Sequence, residues 1–196
     1  MSYMTFDTTN LPTSQQLEEE LKRTRYRKRY RRVLFSTIYT LITVAAIAVL
    51  VATLLLPVLQ IYGSSMTPSL TDGNIVQSLK TSYFERGDVV AFYYNNKILV
   101  KRVIAKAGDW GDITEEGDVY VNSQLLDEPY VTEKALGTCD ITLPYQVPES
   151  RIFVMGDHRS VSADSRSSAV GCVEEDRIVG KLVFRVWPLD IIGKIE

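Results

Sequence analysis

From Val33 to Thr71 the chain carries no charged side chain. The heart of that run, VLFSTIYTLITVAAIAVLVATLLLPVLQIY, exceeds the roughly 20 apolar residues a helix needs to cross a bilayer. Ser36, Thr37 and Thr40 do not spoil it, because their hydroxyls can bond back to helix carbonyls. Pro57 lies near the far end, where a helix can stop. The spacing predicts a helix over 33–57. A buried core helix is rarely this long, and the apolar part of a cleavable signal peptide is shorter. A retained membrane anchor is the reading that survives.

Charge gives the anchor a direction. KRTRYRKRYRR, residues 22–32, has eight basic residues in eleven and abuts the apolar run. A solvated basic helix would look the same in isolation. Next to a span, basic flanks stay on the cytoplasmic side, where they also meet anionic lipid headgroups. The expected organisation is a cytoplasmic tail over 1–32, a single transmembrane helix over 33–57 and an extracytoplasmic domain over 60–196. The first dozen residues, MSYMTFDTTNLP, read as a disordered tail. Residues 1–32 hold eight Lys/Arg against four Asp/Glu, leaving fourteen against twenty in the rest of the chain. Neither part has the basic balance of a nucleic-acid binder.

Beyond the anchor, short alternating runs are split by Gly, Asp and Asn. NIVQSL, DVVAFYY, KILVKRVIAK, DVYVN, RIFVMG and RIVGKLVFRVW have strand character, and YYNNKI reads as a hairpin turn. No helical period is sustained after residue 63. The outer domain is therefore expected to be mostly β, with 132–150 as an irregular surface loop. Cys139 and Cys172 are far apart in sequence, and either one disulfide or two separate thiols fits them. His158 is the single histidine. No metal, nucleotide or other cofactor is implied.

The chemistry centres on IYGSSMTPSL, residues 61–70. A serine needs a base before it attacks a carbonyl. A Ser-His-Asp arrangement through His158 is possible but nominates no particular serine. Neither a G-x-S-x-G elbow nor an S-x-x-K motif is present. What remains is a serine with a distant lysine, and Lys101 sits among apolar residues in KILVKRVIAK. Such a base must be neutral near pH 7. A free lysine titrates at about 10.4, so burial must lower it by about 3 units. Leu99 and Val103 could supply the apolar walls.

Three segments then match a known pattern in order. GSSMTPSL resembles the nucleophile box of bacterial type I signal peptidases. RGDVVAFYYNNKILVKRVIAKAGD resembles their lysine box. MGDHRSVSADSRSSAVGCV resembles their third box, and FRVWPL is similar to their closing segment. The resemblance runs from about residue 60 to 190, behind the expected anchor. It implies an extracytoplasmic β-sheet domain of the signal-peptidase type behind one N-terminal transmembrane helix in the cell membrane. It also implies a Ser/Lys endopeptidase that cleaves N-terminal signal peptides from exported preproteins after small residues.

By position, the resemblance makes Ser65 the nucleophile and Lys101 the general base. It makes Ser162 the residue that orients the lysine amine, with Asp164 and Arg166 as a supporting ion pair and Met66 packed beneath. Ile61 and Val100, beside the two catalytic segments, are the expected walls of the substrate pocket. The Ser65 N–H is the expected oxyanion donor. Gly63 stands where some members carry a serine hydroxyl for the same purpose. His158 and Val161 replace residues that are usually asparagine, and Cys172 follows Gly171 in the third box. Two other readings stay open: a non-catalytic tethered β domain that binds exported chains, and a peptidase dedicated to a narrow set such as pilin-type precursors.

Overall fold

The computed structural model describes residues 13–195. The expected tail over 1–12 lies outside the described residues. Helix α1 runs from Ser14 to Leu55. Thr13 and Gln16 open it reciprocally: the Gln16 N–H donates to Thr13 Oγ1 at 3.4 Å and the Thr13 N–H to Gln16 Oε1 at 3.0 Å. This is a capping box. The basic run 22–32 therefore lies on the same helix as the uncharged run. From Val33 onward the helix is about 34 Å long at 1.5 Å per residue, against a hydrocarbon thickness of about 30 Å. Its apolar side chains stand exposed. Thr37 and Thr40 donate to the carbonyls of Val33 and Ser36 at 3.0 and 2.9 Å, as their chemistry requires inside an apolar run. The helix ends just before Leu56, whose helical conformation the ring of Pro57 disfavours.

Contacts divide the chain into two compact units, the helix up to Val51 and the segment from Ala52 onward. The second unit is mostly β. Its strands are β1 Val58–Gln60, β2 Ile75–Leu79, β3 Val89–Tyr94, β4 Lys97–Lys106, β5 Trp110–Ile113 and β6 Val119–Val121, then β7 Gln124–Leu125, β8 Tyr145–Gln146, β9 Arg151–Met155, β10 Val173–Glu174, β11 Ile178–Trp187 and β12 Gly193–Lys194. The larger sheet runs β1-β2-β11-β3-β4-β9-β10 with β12 on β11, and the smaller runs β7-β6-β5-β8. Every pairing is antiparallel.

All six strands expected from alternation are present, and the hairpin turns through Asn95 at φ 51°. Alternation on β3 sends Val89 and Ala91 into one apolar cluster and Val90 and Phe92 into another. A third cluster joins Ile104, Phe153 and Met155 of the large sheet to Ile113, Val119 and Val121 of the small one. Cys172 is buried there, and both cysteines are free thiols. Burial pushes the Cys172 thiol up to about 11, which keeps it unreactive. The segment 132–150 is irregular apart from β8.

Candidate active site

The turn after β1 carries Ser65, and β4 carries Lys101, 36 residues further on. Antiparallel pairing sets Lys101 opposite Val90 of β3. The turn is pinned at several points. The Gly63 N–H donates to Asp72 Oδ1 at 2.7 Å. The Thr67 N–H donates to the Ser64 carbonyl at 3.1 Å and the Leu70 N–H to that of Met66 at 2.8 Å. Met66 and Leu70 are buried in the cluster beneath. The Ser65 carbonyl accepts the His158 N–H at 3.1 Å. Ser64 is exposed.

These restraints place Lys101 Nζ 2.6 Å from Ser65 Oγ. Lys101 is only 3% exposed. Burial drives its ammonium down to about 8, partly offset by the charge of Asp164, with Arg166 lowering it further and Asp157 raising it. A lysine at that value is partly neutral at mildly alkaline pH. The Ser65 N–H finds no acceptor among the described residues, so it is available to an incoming oxygen.

Of the expected supports, Asp164 and Arg166 form a buried fork. Arg166 Nε and Nη2 donate to the two carboxylate oxygens at 2.9 Å each. Burial alone would raise the Asp164 carboxyl, but the Arg166 bonds and charge and the Gly156 N–H hold it below its ordinary value. Ser162 is buried; its Oγ meets no partner at strict hydrogen-bond geometry, yet it lies near enough to the Asp164 carboxylate to help lower it. A Cβ on Gly156 would collide with both Ser162 Oγ and the Ser65 carbonyl, so glycine at 156 lets these two pieces of backbone close on one another. His158 contributes its backbone; its Nδ1 is buried without a partner.

Two further buried forks had no part in the sequence reading. Arg102 Nε and Nη2 donate to Asp157 at 2.9 and 2.7 Å, and Arg159 Nη2 and Nη1 to Glu128 at 2.5 and 3.2 Å. The signal for Asp157 and Arg159 was their place in MGDHR. Glu128, in an otherwise unremarked loop, offered none.

A cleft of about 560 Å³ opens beside Ser65 and Lys101. One wall is Leu59 to Gly63, the other Lys97 to Val100, with Met66 also lining it. Ile61 and Val100 both line this cleft. Both walls are strand edges. β1 pairs only with β2 among the described residues, and β9 joins β4 only from Arg102 onward.

The model of the family described as signal peptidase, peptidase S26, matches residues 34–187. The chain belongs to that family. It is therefore a peptidase of the signal-peptide-processing class. A signal peptidase IB of Staphylococcus aureus (strain COL) is 41% identical over 149 residues, covering 65% of this chain and 76% of the relative. The chloroplastic thylakoidal processing peptidase 1 of Arabidopsis thaliana is 32% identical over 163 residues, covering 74% of this chain and 46% of that one. The crystal structure of a signal peptidase I from Enterococcus faecalis is 28% identical, covers 51% of this chain and 97% of that one, and superposes with a TM-score of 0.42. For a chain in this S26 family, the cleft beside Ser65 and Lys101 is the candidate place for a scissile peptide.

Proposed function

We propose that this chain is a membrane-anchored Ser/Lys endopeptidase that removes signal peptides from exported preproteins. The observation that carries the reading is the 2.6 Å separation of Ser65 Oγ and a buried Lys101 Nζ. Neutral Lys101 takes the Ser65 hydroxyl proton as Oγ bonds to the scissile carbonyl carbon. The oxygen takes up the negative charge and is met by the Ser65 N–H. When the carbon–nitrogen bond breaks, the Lys101 ammonium gives its proton to the departing amine. Water then bonds to the acyl carbon as it loses a proton to the neutral lysine, the ester bond to Ser65 Oγ breaks, and the lysine ammonium returns that proton to Oγ. Asp164 and Arg166 hold the loop that bears Ser162; the family pattern assigns Ser162 Oγ to orienting the amine, a bond not made in this structure.

The substrate lies extended between the two strand edges of the cleft, adding backbone hydrogen bonds there. Ile61 and Val100 wall shallow apolar subsites that suit small side chains before the cut. α1 is the anchor. The basic segment 22–32 faces the cytoplasm and its anionic lipids, and the domain from about residue 60 faces outward.

Cleavage of a preprotein in detergent micelles tests this. Wild type is expected to cut after a small residue, and Ser65→Ala and Lys101→Ala to be inactive. Full activity in either variant would place the chemistry elsewhere. Protease added outside sealed vesicles is expected to digest the domain and spare residues 22–32; the reverse pattern would invert the topology.

A further inference from the structure

The candidate dyad joins two segments that no strand pairing ties together directly. Lys101 belongs to the central sheet, while Ser65 sits on a turn. Something must set one against the other to within a few tenths of an ångström. The loop after β7 touches both sides. The Tyr130 ring covers the guanidinium of Arg102, with Cζ 3.8 Å from the ring centroid. Arg102 is the neighbour of Lys101 on β4. It also donates to Ser69 Oγ at 3.2 Å, on the turn that carries Ser65. Two residues before Tyr130, Glu128 holds Arg159 in a buried fork. Arg159 Nε donates to the Gly156 carbonyl at 3.0 Å, in the segment whose His158 N–H holds the Ser65 carbonyl. The Tyr130 hydroxyl donates to Glu128 Oε1 at 3.2 Å, so the two grips are linked. The Arg159 carbonyl in turn accepts Arg166 Nη2 at 2.8 Å.

We infer that Glu128 and Tyr130 form a positioning strap, which braces the Arg102–Asp157 fork and the β4–β9 pairing that join the strand bearing Lys101 to the segment that holds Ser65. The inference rests on the Ser/Lys reading, but its geometry is separate from the dyad. Among the described residues neither makes a hydrogen bond or ion pair with Ser65 or Lys101. A strap that only stabilised the fold would change the amount of folded protein. A positioning strap changes the dyad within folded protein. The groups whose charges act on Lys101 are Asp164, Arg166 and Asp157, and the last is the partner of the Arg102 that Tyr130 covers. Loosening the strap lets Arg102 and Asp157 shift and water approach the amine.

The test uses the full chain in detergent micelles, with lysine carrying ¹³C at Cε and the Lys101 signal assigned by its loss in Lys101→Arg. The titration midpoint of Lys101 is measured alongside kcat and KM for preprotein cleavage. Tyr130→Leu and Glu128→Gln are each expected to raise the midpoint by about half a pH unit or more. They should lower kcat by about ten- to a hundredfold, with KM within about threefold. Tyr130→Phe keeps the ring over Arg102 and is expected to hold kcat within about threefold of wild type. Leu125→Ala, exposed just before the strap, serves as the control with wild-type rates.

An unmoved Lys101 midpoint with wild-type kcat in folded Glu128→Gln would overturn the inference. So would a loss of rate that merely tracks the folded fraction, or equal damage from Phe and Leu at position 130. If Tyr130→Leu does not fold, Glu128→Gln and Tyr130→Phe carry the decision. The titration needs no turnover. A midpoint that rises in the strap variants of a chain that cuts no preprotein would sustain the strap and sink the proposed hydrolysis. Dead Ser65→Ala and Lys101→Ala beside wild-type strap variants would do the opposite.

Discussion

Lys101 is held where its charge is unwelcome, and two measurable consequences follow, both of which rise with pH. The first concerns activity. Deprotonation with a midpoint near 8 switches the proposed base on, so kcat/KM should rise as pH passes upward through about 8. A profile flat from pH 6 to 9 would mean that Lys101 is not the base. The second concerns stability. Below pH 8 the lysine is protonated in both states, and the fold bears the full cost of burying the charge. Between about 8 and 10.5 the unfolded chain holds the proton that the folded chain has lost, so stability rises with pH. The span corresponds to about 3 kcal/mol. Chemical denaturation should therefore show Lys101→Met more stable than wild type by up to about 3 kcal/mol at pH 6, with the gain shrinking toward pH 10. Ser162 offers a cleaner separation of role from stability. Its buried hydroxyl lies outside strict hydrogen-bond geometry and gives only the smallest help in lowering the Asp164 carboxyl, so Ser162→Ala should lower the unfolding midpoint little. If Ser162 orients the amine, kcat should nonetheless drop by about tenfold or more; an unchanged kcat would remove it from the site.

Among the elements, β4 does two jobs with one run of residues. Its later half is paired on both sides and buried, while Lys97 to Val100 pair only with β3 and leave an edge beside the cleft. The third box works differently, through buried charge. Asp157, Asp164, Arg159 and Arg166 lie within ten residues and are almost fully buried. Each is matched, so removing one partner should cost more than the bond itself. Arg166→Met would leave the Asp164 carboxylate buried without its fork, at about 3–5 kcal/mol in denaturant unfolding. A loss below about 1 kcal/mol would show that water already reaches that carboxylate. The sign with pH follows from the depressed Asp164 value: the stability this pair contributes is present at neutral pH and lost as pH falls through the folded carboxyl value. Wild type and Arg166→Met should therefore converge in acid.

Across the whole molecule, the helix and the β unit separate as clusters of contacts, and the β unit holds all three apolar clusters. A chain starting at Leu56 keeps Pro57, whose carbonyl accepts the Ser78 N–H at 2.9 Å. It should unfold cooperatively and still cut a short soluble peptide in detergent, while losing most of its activity on preproteins embedded in vesicles. Aggregation into a non-native state on removal of α1 would instead make the helix part of the folding unit.

The long apolar helix, its basic flank and the six main strands follow from local rules. Uncharged length, charge placement and period-two alternation act along the chain, and a sequence displays them directly. Ser65 and Lys101 were visible through motif resemblance rather than through pattern, since an apolar-flanked lysine in a strand is usually a solvated one. What the chain alone did not reveal is non-local. β1 was hidden in the end of the apolar run, because three residues paired to β2 carry no alternation of their own. Of the small sheet, β6 was legible in DVYVN, whereas β5, β7 and β8 form by pairing alongside it, with Ile113 of β5 and Tyr145 of β8 packed in the cluster of Phe153 and Met155. The separation of Ser65 from Lys101, the neutral tendency of the lysine and the grip of Glu128 and Tyr130 all depend on side chains brought together from distant positions. Desolvation and ion pairing are properties of that packed neighbourhood, and so only the folded chain possesses them.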